Sequence, residues 1–481
     1  MNPMWRANLF GRKSMWTAFA VPLTIVVAGC AQYRPEPFSA ERHAAALEER
    51  SLHDPRLGEF VELGLPRQRK GGRAWELSSL TLAALYYHPD LDVSRAKLVS
   101  ARAAVITAAQ IPNPTLSASA TYNATMTAPT PWTVGQIVGF LIETMGRREY
   151  RIGQAENLVE AAREDLATAT WLVRGHVRAA FLNLWAAQRR LELNGRRAAL
   201  QRQLVDLLQR RFSEGQASAL DLTRERINLN QVSLAVRDAE RQRAEARAQL
   251  ATAVGVPLRA LDAISLSFGA FERAPPFRLE AGELRREALV GRSDVQALLA
   301  EYAAMQTALQ LEIAKQFPNV NVGPGYTFDQ GANKYNLDLS FELLIFNQNQ
   351  GPIAEADARR KDAAARFDAL QAQIIGAIDT AVSSYRAINQ TMTTADALVA
   401  TGRRRQDEVS RSLQAGDVDR STLVTAELEV AAIEISRFDV LVQQRQALGA
   451  LEDALQHPIF EPRVRLFVSE TNPRGPSGSG I

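Results

Sequence analysis

Between Asn333 and Leu343 apolar and polar side chains alternate without a break. Tyr335, Leu337, Leu339, Phe341 and Leu343 share one parity, and Asn336, Asp338, Ser340 and Glu342 the other. Period two over about ten residues predicts a β-strand with one apolar and one polar face. Pro318 to Phe328 has the same character, with Val320, Val322, Tyr326 and Phe328 set against Asn319, Asn321 and Thr327. The two runs are joined by Asp329-Gln330-Gly331, a turn-like tripeptide. An earlier pair repeats the scheme. Leu116, Ala118, Ala120, Tyr122 and Met126 alternate with Ser117, Ser119, Thr121, Asn123 and Thr125. After Ala128-Pro129-Thr130-Pro131, the return strand carries Trp132, Val134, Val138, Phe140 and Ile142. Strands are therefore expected at about 113–127, 131–143, 318–329 and 333–346.

Each strand pair is followed by a long stretch of a different kind. From about Tyr150 to Phe212, and again from about Ile353 to Leu413, there is no proline, and Ala, Leu, Arg, Glu and Gln dominate. These are strong helix formers. About 60 residues at 1.5 Å each would reach roughly 90 Å, far beyond a globular helix. The apolar positions are mostly small, among them Ala161, Ala162, Ala363 and Ala364, which permits close helix packing over a broad surface. Gly215 and Gly416 follow the two stretches as helix-ending residues. Ser218 and Asp419 then stand where a short polar side chain would cap the returning helix.

The two halves are copies of one plan. Phe212 to Leu222 matches Leu413 to Leu423 at an offset of 416 − 215 = 201, and Val177 and Ala180 align with Ile378 and Ala381 at the same offset. Each half reads helix, strand pair, very long helix, glycine turn, shorter helix. One chain supplies four such strands, whereas a transmembrane barrel closes with about eight or more and a bilayer tolerates no open sheet edge. Several chains would have to share one barrel.

Composition changes this picture at the N-terminus. Arg6, Arg12 and Lys13 precede an apolar run from Met15 to Val27 that ends in Gly29-Cys30, a secretory-signal pattern. Removing those three cations leaves 56 − 3 = 53 basic residues against 53 acidic ones, so the charge balance points to no nucleic acid. Cys30 is the single cysteine, and the small-small-Cys ending resembles a bacterial lipobox. That resemblance implies a covalent lipid on Cys30, and Ala31 in place of Asp implies sorting to the outer membrane.

The paired Pro-Asn strand openings at Pro112-Asn113 and Pro318-Asn319, the two glycine turns and the 201-residue repeat together resemble the TolC-like outer-membrane efflux proteins, in their lipoprotein branch. The resemblance spans about residues 40–462. It implies a mainly α fold with a transmembrane β part: a homotrimer with a 12-stranded barrel continued by a long periplasmic α-helical barrel. It implies a periplasmic adaptor, or membrane fusion protein, and an inner-membrane pump of the RND type as partners. It also implies passive conduction of the pump's substrates to the outside. The layout is then signal peptide 1–29, N-terminal periplasmic segment 30–74, first efflux repeat 75–265, second efflux repeat 275–462 and flexible tail 463–481. Leu344 to Gly351 looks like the strand-to-helix junction of the heavy-metal ducts similar to CzcC. A lipid-anchored periplasmic coiled-coil scaffold with a soluble sandwich is the competing reading.

In that family the periplasmic end is narrowed near the glycine turns. The candidate gate residues are Leu413, Asp417, Asp419, Thr422 and Asp221, the last matching the family's acidic position in the first repeat. The family's acidic ring does not transfer to Thr422 and Thr425. Asp338 and Glu342 are expected on the lumen face of the strands. His43, His53, His88, His176 and His457 are scattered, so no metal site is expected, and no cofactor beyond the lipid. No phosphate loop, His-Glu helix motif or nucleophile elbow is present, so no catalytic residue is expected.

Overall fold

The computed structural model describes residues 33–65, 74–125, 130–273, 281–460 and 473. The expected signal peptide 1–29, Cys30 and all but residue 473 of the tail 463–481 lie outside the described residues, as does Met126. The chain divides into two compact units, Met1–Glu49 and Arg50–Ile481. The first holds the helix α1 (Ala40–Glu48), opened by Ser39, whose side chain accepts the Arg42 N–H.

The second unit begins with α2 (Pro55–Gly64), α3 (Leu77–Tyr87) and α4 (Pro89–Ala108). Strands β1 (Thr115–Tyr122) and β2 (Trp132–Ile142) lead into α5 (Arg147–Ser213) and α6 (Ala219–Val254). Short helices α7 (Leu258–Asp262), α8 (Gly269–Glu272) and α9 (Ala281–Gly291) connect to α10 (Ser293–Ala314). Then come β3 (Val320–Asp329), β4 (Ala332–Phe341), α11 (Gln350–Ala415) and α12 (Arg420–Leu455). The order α4-β1-β2-α5-α6 is matched by α10-β3-β4-α11-α12. Helices α5 and α11 have 67 and 66 residues, about 100 Å each.

All four strands form one antiparallel sheet in the order β1-β2-β3-β4. The two halves of the sequence therefore meet at its centre, between β2 and β3. Two strands are shorter than the alternation suggests. β4 ends at Phe341 rather than near 346, because its partner β3 starts at Val320 and offers no further ladder. Beyond it the backbone folds on itself, with the Ile345 N–H bonding to the Leu343 carbonyl at 2.9 Å. β1 ends at Tyr122 rather than near 127, where the Asn123 side chain accepts the Thr125 N–H and turns the chain.

The core lies around the middle of α5. Phe181 is fully buried and stacks on Phe268 at 4.7 Å, beside Phe271. Trp185 meets Phe438 of α12 edge-on at 5.1 Å. One turn away sits a buried charge cluster. Glu452 of α12 is 0% exposed and contacts Arg174, with Arg178 at 3.4 Å. Arg174 also donates to the Phe460 carbonyl at 2.8 Å. Burial pushes the Glu452 carboxyl up, against the pull of the two guanidinium groups.

Candidate functional site

The register sorts the sheet into two faces. Partner rows such as Leu116–Val138, Phe140–Val322–Leu339 and Ile142–Val320–Phe341 share one face. This face is apolar and open: Tyr335, Leu337 and Leu339 are 85%, 72% and 63% exposed. At its hairpin end stand aromatic pairs, Tyr122 with Trp132 at 5.0 Å and Tyr326 with Tyr335 at 5.6 Å. An apolar band capped by aromatic rings is the chemistry of a lipid-facing strand. The opposite face carries Ser117, Ser119, Thr121, Asn321, Thr327, Asn336 and Asp338. Asp338 and Glu342 have the parity of this polar face, with Asp338 opposite Gly323.

The far ends of the two long helices are built alike. Gly215 and Gly416 have φ of +74° and +85°, a region that costs a side-chain-bearing residue energy. They let the Gln216 N–H reach the Arg211 carbonyl at 2.7 Å and the Asp417 N–H reach the Ser412 carbonyl at 2.9 Å. Ser218 and Asp419 then cap α6 and α12 through the N–H groups of Asp221 and Thr422.

The candidate gate residues fall into three settings. Asp419 accepts from Ser421 Oγ at 2.7 Å and from the Thr422 N–H and hydroxyl at 2.8 Å each. Its other oxygen meets Arg211 of α5, tying the tips of the two halves together. The Ser421 hydroxyl first, then Thr422 and Arg211, hold the Asp419 carboxyl down to about 2. Asp221 and Thr422, with Thr425, line a groove of about 290 Å³ between the tips, which Glu225 and Arg405 also border. Leu413 is half-buried in the last turn of α11, and Asp417 is exposed on the turn. Arg211 was not foreseeable from motif spacing, since 208 residues separate it from Asp419. Its position in the last turn of α5, where a cation suits the helix dipole, was the available signal.

Among the described residues no group of three or more His, Cys, Asp or Glu is placed to hold a metal ion. Among them, too, no helix is long and apolar enough to cross a membrane.

Residues 81–256 match the family described as outer membrane efflux protein. The cobalt-zinc-cadmium resistance protein CzcC of Cupriavidus metallidurans is 27% identical over 295 residues, covering 60% of this chain and 68% of that protein. The fold is that of solved outer-membrane channels. CusC superposes with a TM-score of 0.65 at 18% identity, covering 81% of this chain and 94% of that one. The outer-membrane channel OprN gives 0.64 at 19% identity over 88% and 98%. The open-state MtrE channel of Neisseria gonorrhoeae gives 0.65 at 16% identity over 79% and 88%. The matched family model and the fold are those of outer-membrane efflux channels.

Proposed function

We infer that the chain is a TolC-like outer-membrane efflux protein, the export duct of a tripartite efflux system. One observation carries this: a four-stranded sheet with an open apolar face continues, in the same chain, into two helical hairpins about 100 Å long. In hydrocarbon the free edges of β1 and β4 require partners. The working form is then a homotrimer whose three sheets close a twelve-stranded barrel, with the polar faces inside. The helical hairpins continue it into the periplasm, where the tips meet an adaptor and an RND-type pump. A lipid on Cys30 anchors the mature N-terminus in the outer membrane. The kinship with CzcC favours divalent metal cations such as cobalt, zinc and cadmium as cargo. Such ions would be passed along the duct rather than held.

The tips form the gate. Asp417, exposed on the turn, sets the local potential more than Asp419, whose charge is matched by Arg211. The test is conductance of the purified chain in planar bilayers. Trimers that conduct, with cation preference falling more in Asp417→Asn than in Asp419→Asn, support the reading. Selectivity that responds to Thr422→Arg but to neither Asp variant moves the constriction further along the helix. A detergent-independent chain without conductance supports the lipid-anchored scaffold instead. Loss of labelled palmitate in Cys30→Ser tests the anchor separately.

A further inference from the structure

At the foot of the sheet lies a cavity of about 630 Å³, where the polar face meets the end of α10 and the start of α11. Its wall includes the register row Leu141–Asn321–Ser340, together with Arg147, Lys315 and Glu342. The charges here are unevenly committed. Arg147 donates through Nη2 to the carbonyls of Lys315 and Phe317, but its Nε–H is buried with no acceptor among the described residues. Two nearby carboxylates are occupied. Glu143 binds Arg151, and Glu312 takes the Lys315 ammonium at 2.7 Å and the Asn349 amide at 2.9 Å. Lys315 keeps donors to spare, since an ammonium has three. Glu342 makes no hydrogen bond or ion pair among the described residues; it is exposed at the mouth of the same cavity, within electrostatic reach of Arg147. The side chains of Asn321 and Ser340 are likewise uncommitted there.

An unmet buried donor calls for an acceptor, and the exposed Glu342 carboxylate offers a place for a cation at the cavity mouth. A lone anion would be repelled by Glu342, and a lone cation by Arg147 and Lys315. We propose that this cavity binds a small zwitterion, an amino acid or short peptide. Its carboxylate sits on Arg147 Nε–H and Lys315 Nζ, its ammonium on Glu342, and Asn321 and Ser340 bond its middle. The site lies within one chain and stands apart from the duct reading, which rests on the sheet and the helical hairpins.

The experiment is calorimetric titration of the detergent-solubilised full chain with three probes. Glycylglycine carries both charges, N-acetylglycylglycine lacks the ammonium, and glycylglycinamide lacks the carboxylate. Glycylglycine is expected to bind saturably, with each analogue weaker by about tenfold, as loss of one charge-assisted bond implies. Glu342→Gln should weaken glycylglycine by about tenfold and strengthen N-acetylglycylglycine, a reversal that general damage to the fold does not produce. Lys315→Gln should weaken glycylglycine and leave glycylglycinamide unchanged. Equal affinity for the three probes, or no saturable heat, overturns the proposal. So does a Glu342→Gln chain that binds glycylglycine as before but no longer assembles, since Glu342 would then belong to a contact between copies.

Discussion

Helices α5 and α11 occupy matching places in the two repeats and differ by a single residue in length, yet they do different work. Twenty residues of α5 are buried against seven of α11, so α5 is the spine of the chain and α11 a flank. The offset of 201 shows where they diverge. Arg174 and Arg178 correspond to Ile375 and Asp379, Trp185 to Arg386, and Glu452 to Ala251. The buried charge cluster thus joins α5 of the first half to α12 of the second and has no repeat-related counterpart. Asp379 instead pairs with Arg285 at the surface, at 3.0 Å. Helix α11 is laced to α12 by polar ties: Asp396–Arg437 at 2.5 Å, Arg403–Glu434 at 2.7 Å and Arg405–Glu429 at 3.2 Å. Across the α5–α6 pair the polar ties are side-chain amide hydrogen bonds, such as Gln201 donating to Glu225 at 2.7 Å. A repeat conserves the path of the backbone; the solvent exposure of each copy decides which interactions are worth making.

That contrast should break first at Glu452. Removing its charge leaves buried Arg174 without a carboxylate and Arg178 with Asp453 alone, so Glu452→Gln should cost about 3–5 kcal/mol in urea unfolding. Asp379→Asn, across the repeat, should cost at most about 1 kcal/mol because its pair is exposed. Equal losses would show that the two helices are equivalent after all. Next in size is the sheet. Leu339→Arg on the apolar face should cost about 2–4 kcal/mol in the bilayer and lower trimer yield, whereas Asp338→Asn should leave it intact. Equal yields would reverse the assignment of the faces.

A smaller effect is expected at the tips. The Asp419 carboxyl lies below its ordinary value of 3.8, at about 2. Its contribution is therefore fully present above about pH 4 and is lost as pH falls toward about 2. Protection factors of the tip amides should fall across that window, and Asp419→Ala should lower them at neutral pH through loss of a cap worth about 1 kcal/mol. The smallest effect belongs to the lacing of α11. Arg403→Ala should change stability by about 0.5 kcal/mol, within the range of exposed pairs.

Much of the architecture was legible in the chain itself, because the features that specify it are local. Alternation at Tyr335, Leu337 and Leu339 marks strand and face together, and the small residues after Gly215 and Gly416 mark the turns. Resemblance to the efflux proteins, resting on those same turns, is borne out by the family match and the fold. What escaped was whatever depends on partners distant in sequence. Alanine stripes run along both α5 and α11, so the sequence does not say which helix becomes the spine. Arg211 and Asp419, or Arg174 and Glu452, become partners only once the hairpins are side by side. Strand ends were overestimated because alternation continues through Leu343 after the ladder has run out of partner. Of the candidate site, the capping role of Asp419 was open to local reading, while its cross-tie and the junction cavity were not.

The central β2–β3 pairing has a consequence for time as well as shape. Ile142 and Val320 are neighbours in the sheet but 320 − 142 = 178 residues apart along the chain. Closing so long a loop carries a large entropic cost, whereas each helical hairpin closes across a turn of a few residues. We expect α5–α6 and α11–α12 to zip first and the sheet last. Pulse-labelled hydrogen exchange during refolding would then protect helix amides before those of β2 and β3. For the export duct proposed above, that order means that the stickiest surface is the last part to exist.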